Sequence, residues 1–269
     1  MADEKEAVIR RASFPEDDKL FRLFVGKSCM EPLAIANRRF TTSRTAIAIW
    51  LAVASVIVNF MGWWPDPSKV GWMGYARPLP AYAVSFLPLV FCVDWYVFQR
   101  PYFEEQSVTV LKRPDVVNKE TYYSRSPASG IWILEFGKTF VGLAAVDASK
   151  DSLSNDTIME RDDAETRQRY AAKGTATTAT IRHFYVVEQF RTVGIQDDLL
   201  SFALKRAFES SPNVQNVRMT PSPMFDYLDK MLKKAGFTVV EQGKGVGLGR
   251  WPSLTYELSR ESWKSRTKS

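Results

Sequence analysis

The sequence predicts an α/β fold. A mixed central sheet with flanking helices is interrupted, after its first helix, by a two-helix transmembrane hairpin. Three stretches carry that reading. Residues 181–209 hold a buried strand, a tight turn and an amphipathic helix. Residues 131–146 read as a β-hairpin, and two apolar runs at 45–64 and 79–98 have the length that a bilayer requires.

In the first stretch, Ile181-Arg182-His183-Phe184-Tyr185-Val186-Val187 is rich in β-branched and aromatic residues, as buried strands are. Glu188, Gln189 and Phe190 lead into Arg191-Thr192-Val193-Gly194-Ile195-Gln196. Ile195, Leu199, Phe202 and Ala203 then recur at helical spacing, with Leu200, Leu204 and Phe208 widening the apolar stripe. A strand, a turn with one glycine and a helix aim several backbone N–H groups at one point. The unpaired amides and the helix dipole there suit an anion. Ordinary packing explains such a unit as well, because one glycine is a weak phosphate signature.

Around this centre the chain divides into residues 1–44, the first strand and helix; 45–98, the membrane hairpin; 99–262, the rest of the sheet domain; and 263–269, a short basic tail. Val8 to Ala12 reads as a strand. Pro15, Glu16, Asp17 and Asp18 open a helix carrying Leu20, Phe21, Leu23 and Phe24. A helix is expected near Phe103 to Leu111, followed by a polar loop. Ile131 to Phe136 and Thr139 to Val146 form the hairpin around Gly137-Lys138. Asp147 to Thr177 is a polar surface excursion with a short helix near Ala164 to Ala172. Val214 to Thr220 is a strand, Ser222 opens a helix that Gly236 ends, and Phe237–Gln242 with Leu254–Leu258 make a last strand pair. The glycines at 243, 245, 247 and 249 join two strands. They are therefore expected to form a flexible hairpin loop rather than a phosphate loop, which opens a helix.

Thr45 to Trp64 contains no charged residue and Leu79 to Phe98 contains only Asp94. Helices of about 20 residues span about 30 Å of hydrocarbon. Trp63, Trp64 and Trp72, and Trp95 with Tyr96, lie where interfacial aromatics belong. Lys27, Arg38, Arg39, Arg44, Arg100, Lys112 and Arg113 flank the pair, against Lys69 and Arg77 in the link, so both termini are expected in the cytosol. Asp94 either snorkels to the interface or meets a partner helix. The net charge of +6 is thus assigned to a membrane surface and not to nucleic acid. Cys29 and Cys92 make no disulfide framework, and no metal-ligand spacing occurs.

An apolar strand followed by Arg191-x-x-Gly194-x and an amphipathic helix resembles the acyl-CoA-binding segment of the GNAT N-acetyltransferase superfamily. The Ile9-Arg10 strand with its acidic turn, the Val141-Gly142 step and the order of elements are similar to that family too. The resemblance implies a GNAT-like mixed sheet and acetyl-CoA as cofactor. Its pyrophosphate would be held at Val186, Val187, Arg191, Thr192, Val193, Gly194, Ile195 and Gln196. Gln196 departs from the small residue usual at its position, and Asp197 and Asp198 add negative charge beside it. Glu188 or His183 would be the base. The acid, often a Tyr four residues before Gly-Phe, is replaced by Leu232 before Gly236-Phe237, with Tyr227 five residues earlier. The inserted hairpin is similar to membrane-anchored N-acetyltransferases of the endoplasmic reticulum. The hairpin, residues 194–200 and residues 232–240 also resemble the fungal packaging chaperones of phosphate transporters. That likeness implies an inactive GNAT-like accessory protein with a membrane-protein client.

Overall fold

The computed structural model describes residues 7–91, 99–137, 139–154 and 173–267. The chain divides into two compact units, residues 1–30, 106–246 and 251–269 in one and residues 31–105 and 247–250 in the other.

The first unit is built on a seven-stranded sheet of order β1-β2-β3-β4-β5-β7-β6. Its strands are β1 (Ala7–Arg11), β2 (Gly130–Phe136), β3 (Thr139–Ser149), β4 (Thr175–Val186), β5 (Asn216–Met219), β6 (Thr238–Val246) and β7 (Trp251–Ser259). Every neighbouring pair is antiparallel except β4 and β5. That pair is joined through a helix, as parallel neighbours require. The mixed sheet with flanking helices agrees with the expected α/β class.

Helices α1 (Asp18–Thr41) and α2 (Arg44–Met61) follow β1. The short α3 (Pro67–Val70), then α4 (Leu79–Phe91), α5 (Gln99–Leu111), α6 (Pro114–Val117) and α7 (Lys119–Tyr123) precede β2. Later come α8 (Ile195–Glu209), α9 (Asp226–Ala235) and α10 (Arg260–Thr267). Phe21, Phe24 and Val25 of α1, with Val116, Tyr122 and Tyr123, bury one face of the sheet at Ile131, Ile133, Leu143, Ala145 and Tyr185. Helix α8 takes the other face, where Phe202 meets Trp132 edge-on at 5.9 Å. A Cβ on Gly142 would lie 3.0 Å from the Tyr185 carbonyl and 3.2 Å from Leu199. A side chain at Gly142 would thus crowd both β4 and Leu199 of α8.

Four expectations change. The polar loop after α5 contains α6 and α7, since Pro114 at a first helical position has its φ already set. The basic tail is helical to Thr267, because Trp263 stacks on Phe208 at 5.1 Å. Gly243 and Gly245 lie within β6 rather than in a loop. The helix expected from Ser222 begins at Asp226, since Pro223 disfavours helix at the residue before it. The helix near 164–172 lies outside the described residues.

Where β3 and β4 leave the sheet, buried ions replace the apolar core. Asp147 is fully buried and accepts from Arg182 at 2.9 Å, Tyr122 at 2.9 Å and Ser149 at 2.6 Å. Arg125 lies over the Tyr122 ring and grips Asp151 through two contacts of 2.8 and 2.9 Å. Arg182 also donates to the carbonyls of Ser152 and Ser154, which ties the start of the polar excursion to β4.

In the second unit, α2 and α4 pack together through Trp50, which donates to the Tyr82 carbonyl at 3.0 Å and meets the Phe86 ring. Outward residues of α2 such as Val56 and Phe60 are 68% and 88% exposed. Among the described residues α2 alone is long and apolar enough to cross a membrane. Helix α4 is described over 13 residues. The remainder of the second run, with Asp94, Trp95 and Tyr96, lies outside the described residues.

Candidate functional site

The site begins where β4 outruns its neighbour. β4 pairs with β5 only from Thr178 to Ile181, against Asn216 to Met219. β5 stops because Pro221 and Pro223 follow and have no N–H to continue a ladder. β4 continues to Val186, paired on its other side with β3. Val187 donates to the Val141 carbonyl at 2.8 Å. Alternate residues of an antiparallel strand turn both backbone groups to the same neighbour. Val187, Tyr185 and His183 therefore face β3, while Phe184 and Val186 face the side that β5 has left. β4 ends in an open edge.

The chain then makes a 3₁₀ turn from Glu188 to Val193, and Gly194 takes φ 80° before α8 begins. That left-handed conformation favours glycine, and a Cβ there would meet nothing within 4 Å. The N-cap position of α8 is Gly194, which makes no side-chain cap to the first amides of the helix. The expected residues run from the end of β4 (Val186) and Val187 through the turn (Arg191, Thr192, Val193) and Gly194 into the first residues of α8 (Ile195, Gln196). Ile195 is buried and Val193 is 73% exposed.

The charge around the turn is more favourable than the sequence suggests. Asp197 pairs with Lys234 of α9 at 2.5 Å, which leaves Asp198 as the exposed carboxylate. Lys234 is held above its usual pKa by that hydrogen bond. Gln196 is half-buried, and its amide oxygen is buried without a hydrogen-bond partner.

The two expected bases separate. Glu188 is exposed at the first position of the turn. His183 lies in the core, 7% exposed, with Nε2 2.8 Å from Asp115 and its ring edge-on to Phe21 at 5.9 Å. Burial pushes the Asp115 carboxyl up, but His183, Arg182 and Arg113 outweigh it and hold it below the usual range. Strand alternation therefore places His183 on the α1 face, bound to Asp115, while Glu188 lies beyond the strand as the first residue of the turn. Leu232 is fully buried and takes no part in the turn.

Sequence reasoning named Arg191 but missed the rings that gather around it at this corner. Arg191 donates from Nε to the Val186 carbonyl at 2.7 Å. Its guanidinium lies 4.2 Å from the Tyr227 ring centre and 5.4 Å from those of Phe225 and Tyr185. Tyr227, unassigned from its position before Gly236, is brought to the end of β4. The hint in the sequence is the pair of prolines, Pro221 and Pro223, that follow β5.

No family model and no curated protein matches the chain. Among solved structures it is similar to aminoglycoside acetyltransferase AAC(6')-Ib in complex with coenzyme A, at 12% identity and TM-score 0.45, over 98% of this chain and 100% of that one. It is similar to a GNAT-family acetyltransferase from Staphylococcus aureus at 10% identity and TM-score 0.44, over 94% and 99% of the two chains. For Ard1 from Thermoplasma volcanium the values are 18% and 0.35, over 48% of this chain and 69% of that one. The likeness is loose on every measure.

His183→Leu is expected to lower the unfolding free energy by about 3 kcal/mol, because it leaves Asp115 buried without its partner. Since the folded carboxyl is depressed, its contribution is present above about pH 4 and lost as pH falls through the folded value. Urea denaturation against pH measures both effects. Unchanged stability with lost activity would instead make His183 a base.

Proposed function

We propose that the first unit is an acyl-coenzyme A-binding domain of the GNAT type. The chain is then a membrane-anchored N-acetyltransferase with acetyl-CoA as donor. The observation that carries this reading is the uncapped start of α8 standing beside the open edge of β4. The residues fit the group. The amides of Gly194, Ile195 and Gln196 suit a pyrophosphate, and the left-handed glycine leaves open space there. The backbone groups of Phe184 and Val186 suit an extended arm that carries amides, as an added strand would. When bound, acetyl-CoA supplies a thioester activated for acyl transfer.

The chain's own residues supply the rest. Glu188, exposed at the start of the turn that follows β4, is the group to take the proton from an incoming ammonium. Tyr227 is the hydroxyl to meet a departing thiolate. Acyl transfer to an amine needs both, and a backbone donor to polarise the carbonyl. A second reading, the inactive accessory protein with a membrane client, is favoured by Asp198 and by the unpartnered Gln196 oxygen, both unwelcome beside phosphate.

Calorimetry of the purified full chain with acetyl-CoA separates the two. Binding is expected, with Gly194→Asp abolishing it and Gln196→Ala strengthening it about threefold, roughly 0.7 kcal/mol. No heat at millimolar acetyl-CoA would leave the accessory reading.

The anchor is proposed to be α2 with the apolar run that begins in α4, in the endoplasmic reticulum and with both termini cytosolic. The outward apolar residues of α2 support it. A glycosylation acceptor placed between Pro67 and Gly74 is expected to be modified in microsomes, and one appended after Ser269 is not. The opposite pattern would overturn the orientation.

A further inference from the structure

The open edge of β4 is not open along its whole length. Of the backbone groups that face away from β3, the Val186 carbonyl is the last acceptor before the turn. It is held by the chain's own Arg191 at 2.7 Å. Arg191 lies on the turn that would receive the phosphates, so one residue connects the two halves of the site. Its guanidinium rests on Tyr227, and Phe225 lies within contact on the segment that takes over where β5 stops. Met224 and Phe225 are 1% and 4% exposed, so that segment is anchored in the core. Arg191 is half-buried, and the ring faces beside its guanidinium shield it in part from water, which strengthens its bond to the carbonyl.

An extended ligand with amide N–H groups needs that same carbonyl if it is to pair with β4 as a strand does. We propose that Arg191 is a latch on the open edge: the amide arm of an acyl-CoA must displace its guanidinium from the Val186 carbonyl to seat fully. This rests on the coenzyme reading of the site and adds its regulation. A ligand with phosphates alone can reach the α8 amides without moving the latch. One with phosphates and the amide arm has to move it. The released guanidinium remains tethered to the turn, where a phosphate can receive it.

The usual expectation for an arginine beside a phosphate site is the reverse, that its charge holds the ligand. Two substitutions decide between them. Arg191→Met removes charge and latch together, while Arg191→Lys keeps the charge and loses the Nε donor and the flat face stacked on Tyr227. The latch predicts that acetyl-CoA binds Arg191→Lys about tenfold more tightly than wild type. Adenosine 3′,5′-bisphosphate and ADP, which lack the amide arm, should bind both alike. Arg191→Met should also bind acetyl-CoA no more weakly than wild type. Calorimetry of the full-length chain, with thermal melts to show that each variant is folded, reads all of these.

Wild-type affinity in Arg191→Lys, with weaker binding in Arg191→Met, would show that the charge holds the ligand, and the latch would be wrong. Binding by the variants where the wild type gives little heat would support the latch in its strongest form. Silence in all three would overturn the coenzyme reading itself, and the latch with it. The two failures are therefore distinguishable. Tyr227→Leu, which leaves Arg191 intact but removes its stacking surface, should tighten acetyl-CoA binding in the same direction. An unchanged affinity there, with Arg191→Lys also unchanged, would overturn the proposal.

Discussion

Everything at the candidate site follows from two strands that part. β4 and β5 share a ladder only as far as Ile181 and Met219, and β4 then continues alone on that side to Val186. An unpaired strand edge inside a folded domain leaves backbone donors and acceptors to be satisfied. Here the chain itself fills one of them, the Val186 carbonyl, through Arg191. The prolines at 221 and 223 keep β5 from extending, and Gly194 lets the chain pass from the turn after β4 into α8. Adding pairing residues after Met219 would close the edge and the site together.

The fixed position of that edge depends on packing behind it. β4 and Leu199 of α8 come so near Gly142 that a side chain there would be crowded. On the other face, α1 and the short helices before β2 hold the sheet through Phe21, Phe24 and Tyr185. Polar groups complete this support. His183 with Asp115, and Asp147 with Arg182 and Tyr122, are buried pairs whose partners come from separate elements. Such pairs add little net stability but penalise arrangements that leave one charge alone. They fix α6 and α7 against the sheet, and with them the strand that carries the site.

Much of this was legible in the sequence. The β-branched run ending at Val187, the glycine at 194 and the stripe from Ile195 to Phe208 define the strand, turn and helix without structural knowledge. Periodicity and turn chemistry are local, so they survive in one chain read alone. What the sequence did not disclose is set by distant contacts. The lone histidine is one of two bases that the sequence offers, and the fold sets it against Asp115, 68 residues away. The acidic pair after Gln196 looked hostile to phosphate, and half of that was cancelled by Lys234, 37 residues away. Tyr227 was set aside on helical spacing from Gly236, yet the chain before α9 brings its ring to Arg191.

The central claim is that one ligand spans the α8 amides and the open edge of β4. Amide hydrogen exchange, read residue by residue with and without acetyl-CoA, addresses it most directly. The account predicts slowed exchange at Gly194, Ile195 and Gln196 together with Phe184 and Val186, while β2 and β7 are unchanged. Protection confined to the turn, or none at either place, would contradict it.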